Sequence, residues 1–232
     1  MKPTTVTYDD IPMSLPPYVD QFGGSEDKAL ASEMLRLTRE ARVLLGQFFL
    51  YVAMSRSSEF GAACNASEAK AGRRIILSSL LKSMVVSSAA LFDEDPRTSN
   101  IPKLLRVALS PDRSVLLNRF HENYGVTSAA QASSRLLVKY GRMLKRGKLR
   151  DAIQAIVGVR NASIAHFDSQ ANSKGRTALV RDLDHVISAA SIVIGEANVY
   201  VLGRRIASGA LRRILHKEAN GFVDTLRRGF SV

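Results

Sequence analysis

The sequence predicts an all-α protein: an antiparallel bundle of long helices with a flexible, extended N-terminal arm and a basic C-terminal helix. Three observations carry that prediction. Apolar residues fill 46% of the 232 positions, are chiefly Leu, Ala, Val and Ile, and include no tryptophan, a mix that suits packed helices. They recur at three- and four-residue steps, the period of a helix with one buried face. Sustained period-two alternation between Asn-Gly or Asp-Gly turns is missing, so strands are not expected.

Residues 1–25 contain four of the seven prolines and the pair Gly23-Gly24, which predicts an extended or mobile arm. Ser25, followed by Glu26 and Asp27, supplies a hydroxyl cap with carboxylates at the positive end of a helix dipole. The helix that starts there is expected to reach about Phe60, with Ala31, Met34, Leu35, Thr38, Val43 and Leu45 on its apolar side. Asn65 or Ser67 can cap a second helix, running through IILSSLLKSMVVSSAALF to the acidic turn Asp93-Glu94-Asp95-Pro96. Ser99-Asn100-Ile101-Pro102 is a fresh cap with proline in the first turn, and Ser110-Pro111-Asp112 repeats the device for a helix to about Glu122. Gly125 and Gly147 bound a helix over about 128–145, and another follows over 148–167. After the polar loop SQANSKGR, a long helix from Ala178 to about Leu202 presents Leu183, Val186, Ile187, Ala190, Ile194, Ala197 and Val201 on one face. The expected organisation is an arm over 1–25, one helical domain over 26–203 and a basic tail helix over 204–232.

One cysteine, Cys64, excludes an internal disulfide and fits a reducing compartment. The opening lacks the pattern of a secretory signal, and the longest apolar runs, VLLGQFFLYVAM and ISAASIVIG, are too short to span a bilayer. A soluble cytoplasmic protein without a membrane partner is therefore expected. Net charge is +12, unevenly spread. Between Glu122 and Asp151 there is no acidic residue, while Arg135, Lys139, Arg142, Lys145, Arg146, Lys148 and Arg150 all fall there. A solvated cationic face and a track for a phosphate backbone are both compatible with that cluster.

The four histidines lie on separate predicted elements, and neither a paired-cysteine spacing nor HExxH occurs, so no metal site is expected. Three adjacent acids at 93–95 more often form a solvated connector than a magnesium site. Neither a P-loop nor a dinucleotide-binding glycine motif occurs. What remains is RNASIAHFD, residues 160–168. On an ideal helix Arg160 and His166 lie about 9 Å apart along the axis and about 120° apart around it. They are then either unrelated polar groups, with His166 favoured near a helix C-terminus, or parts of one site. Convergence requires the guanidinium to fold back, the helix to deform, or a second subunit to pair across a two-fold axis.

RNASIAHFD resembles the signature of the HEPN superfamily, in which an arginine, a polar residue and a histidine stand at this spacing in an all-helical domain. LFDEDPRTSNIPKLL (91–105) is similar to the connector of the abortive-infection-associated subfamily, and RDLDHVI (181–187) to the start of its last long helix. Together these matches span about 30–202. The resemblance implies a metal-independent endoribonuclease of toxin or phage-defence type, a homodimer whose motifs face each other in an interface cleft. Its partners would be RNA and a cognate antitoxin, and no cofactor is implied. His166 would act as acid or base, Arg160 would grip the phosphorane, and Asn161 would position the phosphate or orient His166. Lys139, Arg142, Lys145 and Arg146 would guide the strand, and the products would be a 2′,3′-cyclic phosphate and a 5′-hydroxyl. Asp168 stands where some relatives carry a tyrosine for modification, so that control is not expected. Many proteins of this kind bind without cleaving, so the rival expectation is a non-catalytic nucleic-acid-binding or adaptor protein using its basic surface.

Overall fold

A computed structural model describes residues 4–6, 25–66, 69–95, 97–113, 117, 121–122, 125–166, 173–206 and 208–229; the side chains of 4–6, 25–26, 163–166, 173–178, 204–206 and 208 are outside the description. The long elements are α1 (Ser25–Arg56), α2 (Ser58–Ala66), α3 (Lys70–Leu91), α4 (Ile101–Ala108), α5 (Thr127–Met143), α6 (Lys148–His166), α7 (Ser173–Leu202) and α8 (Ser208–Gly229). The predicted helical bundle is what the chain forms.

Helix α7 is the centre of the bundle, packed against α1, α5 and α6. All seven of its predicted core residues, from Leu183 to Val201, are buried. Against it α1 buries Leu37, Ala41, Leu44, Phe48 and Tyr51, a row at three- and four-residue steps. Val43 falls off that row and is 60% exposed, so the prediction that it faces the core fails by one position. A polar contact sits inside this apolar seam. The Asn198 amide donates to Thr38 Oγ1 at 3.0 Å and to the Ile194 carbonyl at 2.8 Å, and the Thr38 hydroxyl donates to the Met34 carbonyl at 2.7 Å. Satisfied buried groups of this kind fix the register of two helices, because sliding would strand them.

Several boundaries differ from expectation for local reasons. The first helix stops at Arg56, because Ser57 Oγ accepts from the Phe60 N–H at 3.1 Å and starts α2 there. Asn65 lies inside α2 and Ser67 outside the described residues, while α3 starts after Ala69 without a side-chain cap. The Asn100 cap is formed as predicted, accepting from the Lys103 N–H at 2.7 Å with proline in the first turn. Gly125 and Gly147 take φ of 65° and 83°, which explains why glycine ends a helical segment at both. Helix α7 begins at Ser173, so the latter part of the expected SQANSKGR loop is helical. The expectation of no strands is corrected by one short pair, β1 (Thr4–Val6) parallel to β2 (Arg204–Ile206). Three residues are too few to leave a period-two signature.

Helix α8 lies on the body of the bundle: Ala219 and Val223 pack with Met54, Phe60 and Cys64, and Arg227 pairs with Glu59. Two helical stretches, Lys70–Leu91 and Leu179–Leu202, are long and apolar enough to cross a membrane by length and composition. Counting unbroken apolar runs overlooked them, because serines interrupt both. The second is 67% buried as the central helix, and the first 33%.

His121 ties the segment before Gly125 to α7. It is buried, its Nε2 donates to the Tyr200 carbonyl at 2.6 Å, and its ring lies 5.3 Å from that of Tyr200. Burial pushes its pKa below the ordinary 6.5, opposed by the smaller effect of the Tyr200 carbonyl. The folded state therefore favours the neutral ring. Its contribution to stability is complete above pH 6.5 and is lost as pH falls through the lowered value. Thermal melting should show Tm steady from pH 8 to 7 and falling below about 6.5, with a shallower fall in His121→Gln. Parallel curves for the two proteins would refute this assignment.

Candidate functional site

Helix α6 places the arginine motif. It starts just after Gly147, where the Asp151 N–H donates to the Gly147 carbonyl at 3.1 Å. Leu149, Ala152 and Ile156 anchor its inner face in the core, with Ile153, Val157 and Val159 packed partly buried beside them. Asp151, Gln154, Ala155, Gly158, Asn161 and Ala162 form the exposed face, and Arg160 stands at its margin with 27% of its side chain exposed.

Two neighbours hold the Arg160 guanidinium. Its Nε donates to Asn161 Oδ1 at 3.1 Å, and its Nη1 to Asp93 Oδ2 at 3.4 Å. Nη2 forms no hydrogen bond among the described residues. Asn161 is thus bonded to the arginine that precedes it.

Asp93 was not singled out in the sequence as a partner of the motif. The acidic turn attracted notice as a connector, but nothing in its spacing says which carboxylate reaches α6. The structure explains the choice. Helix α3 ends with the Phe92 N–H on the Ala89 carbonyl at 3.2 Å, and the chain turns at once. Asp93 Oδ1 accepts from the Asp95 N–H at 3.2 Å, and Asp95 Oδ1 accepts from the Arg97 N–H at 2.9 Å. The Arg97 guanidinium also bonds the Asp95 carboxylate, at 2.8 Å for Nη2, and holds its pKa below the ordinary range. Asn100 closes the turn by donating to the Asp95 carbonyl at 2.9 Å. Asp93 is therefore presented by a hydrogen-bonded connector, with its second oxygen directed at Arg160.

Helix α6 runs unbroken to His166, so the backbones of Arg160 and His166 keep the separation of an ideal helix, about 9 Å along the axis. The His166 side chain and Asp168 lie outside the described residues. Among the described residues, no group of three or more His, Cys, Asp or Glu side chains is placed to hold a metal ion.

The predicted guiding cations Lys139, Arg142, Lys145 and Arg146 are all exposed. Arg142 and Lys145 line a cleft of about 600 Å³ between α4 and α5, and Lys139 and Arg146 lie outside its lining. Two further residues at the cleft were not predicted: Arg106 on α4, and Glu94, the neighbour of Asp93 in the connector. No periodicity in the sequence could have revealed them, because they meet through tertiary packing of α4 on α5.

Residues 27–222 match the HEPN family model described as AbiU2. No curated protein and no solved structure matches the chain. The match extends beyond the end of α7 and covers most of α8.

The Asp93–Arg160 contact is testable by a double-mutant cycle. Urea unfolding of Asp93→Ala, Arg160→Ala and the double variant should give a coupling of about 0.5–1 kcal/mol, the range of a partly exposed ion pair. Additive losses would mean that the two side chains do not hold one another.

Proposed function

Because the chain belongs to the AbiU2 family, an abortive-infection-associated branch of the HEPN superfamily, we propose that it is a metal-independent endoribonuclease of toxin or defence type, cleaving cytoplasmic RNA at a homodimer interface. The observation that carries this reading is the oriented Arg160 fork, held through Nε by Asn161 and through Nη1 by Asp93. In the proposed reaction the RNA 2′-oxygen attacks the adjacent phosphorus and the bond from phosphorus to the 5′-oxygen breaks. One imidazole takes the 2′-hydroxyl proton and one returns a proton to the departing 5′-oxygen, roles suited to a group that titrates near neutrality. Arg160 stabilises the charge that gathers on the phosphorane, and the 2′,3′-cyclic phosphate is the product. No step calls for a metal-bound water.

A two-fold pairing of α6 would bring Arg160 of one subunit toward His166 of the other. Two features support it. The outer face of α6 is built of small residues, with Ala155, Gly158 and Ala162 exposed around Asn161. The adjoining α3 exposes Ile75 and Val86, 65% and 54% respectively, on a face they share with a single charged residue, Lys82. Exposed apolar strips of this kind mark association surfaces. A nuclease so assembled would require a neutralising partner, a cognate antitoxin. One observation favours the rival reading of a non-catalytic RNA binder: the cleft cations Arg106, Arg142 and Lys145 form no ion pair among the described residues and need no histidine to attract a polyanion.

Incubation with total RNA in EDTA separates the two. Cleavage should persist in chelator and fall at least about a hundredfold in Arg160→Ala and in His166→Ala. RNA binding that survives both substitutions, without cleavage by the parent, would establish the rival. Sedimentation should find the parent dimeric and Val86→Glu monomeric, with cleavage lost alongside. A monomeric but active parent would remove the shared interface.

A further inference from the structure

We infer that the cleft between α4 and α5 is a subsite for one unpaired nucleotide of the RNA strand, its base on the apolar floor, its phosphate at the cationic rim, and its base edge read by Glu94. Calling that nucleotide a neighbour of the cleaved bond rests on the ribonuclease reading; the subsite itself does not.

The lining has the two halves that a nucleotide requires. Leu105, Leu109, Val138 and Leu144 make an apolar floor, and Val138 is 40% exposed although it lies in a packed part of α5. Arg106 approaches from α4, and Arg142 and Lys145 from the end of α5, so the rim is cationic on both walls. A volume of about 600 Å³ is in the range of small-ligand sites. Apolar surface under a base and cations at its phosphate are the general means by which proteins hold single strands.

Gly141 also needs explanation. It sits inside α5, where glycine is less favourable than alanine by about 1 kcal/mol. A Cβ built there meets no atom within 4 Å, so close helix packing does not demand it. Gly141 does line the cleft, and a larger side chain at this position would project into it. Gly141 thus keeps that wall of the cleft low, and a bulky side chain there, unlike a methyl group, would block it.

Glu94 selects the class of occupant. A carboxylate in a site for polyanions is unfavourable unless the ligand brings donors to it. The Watson–Crick edge of guanine carries two adjacent donors, whereas uracil carries one between two acceptors. The expected preference is therefore guanine over uracil. Glu94 also adjoins Asp93, which holds Arg160, so the connector carries both the base-reading group and the anchor of the phosphate clamp.

Fluorescence anisotropy on the full-length His166→Ala protein, with hexauridylate and the same strand carrying one guanine, tests this without requiring cleavage. The guanine strand should bind about tenfold more tightly, and Glu94→Gln should abolish that difference. Gly141→Trp should weaken binding at least about tenfold at unchanged Tm, while Gly141→Ala binds normally. Arg106→Ala should weaken it about fivefold and lower the salt slope by about one, and Lys217→Ala on α8 should do neither. Equal losses in Arg106→Ala and Lys217→Ala, or no loss in both Gly141→Trp and Arg106→Ala, would overturn the subsite. Cleavage by the parent with an inert cleft refutes the subsite alone, and strand binding in the cleft of a parent that never cleaves refutes the nuclease alone.

Discussion

The contact between Asp93 and Arg160 is the constraint around which the candidate site is arranged. It joins the end of one helix to the outward margin of another, and it is made by a partly exposed pair whose intrinsic strength is small. Its geometry is not left to that strength. The carboxylate is presented by a connector in which Asp95, Arg97, Thr98 and Asn100 bond one another, and the connector ends in the cap of α4. The guanidinium is steadied on its other edge by the residue next in sequence. Orientation at this site thus comes from backbone placement on two rigid helices. Such placement keeps the arrangement independent of the strength of the pair itself.

The surface around that contact divides by charge. Toward α3 and the outer face of α6 small or aliphatic side chains predominate, and the charges of Asp151 and Lys82 offset one another. Toward α4 and α5 it is cationic. Like charges would oppose the pairing of two copies of a strongly basic protein, so a neutral face is where self-association costs least. The cationic face can then remain open to a polyanion. The connector stands at the boundary, with Asp93 turned to Arg160 and Glu94 in the cleft.

Much of the architecture was legible in the sequence because it follows from local rules. The buried face of α7, the Asn100 cap and the glycines at 125 and 147 each depend on residues within a few positions of one another. The departures have the same origin. Ser57 divides a pattern that continues unbroken in hydrophobicity, and Val43 lies one step from a row it resembles in character. The candidate site was legible as a list of residue types in Arg160, Asn161 and His166, and the family resemblance gave them roles that spacing alone left open. Asp93, Arg106 and Glu94 were not legible as site residues, since packing of separate helices determines which acidic or basic residue arrives. No periodicity encodes that choice.

The parallel pairing of β1 with β2 has a consequence for biosynthesis. Thr4 faces Arg204, two hundred residues later. Closing a loop of that length from an open chain costs about 5 kcal/mol, so a three-residue ladder cannot nucleate anything and must wait for the bundle to bring its strands together. At about 5–20 residues per second, the ribosome needs roughly 10–40 s after making the first strand to supply the second. During that interval the nascent N-terminal segment lacks this partner and is open to whatever binds extended backbone.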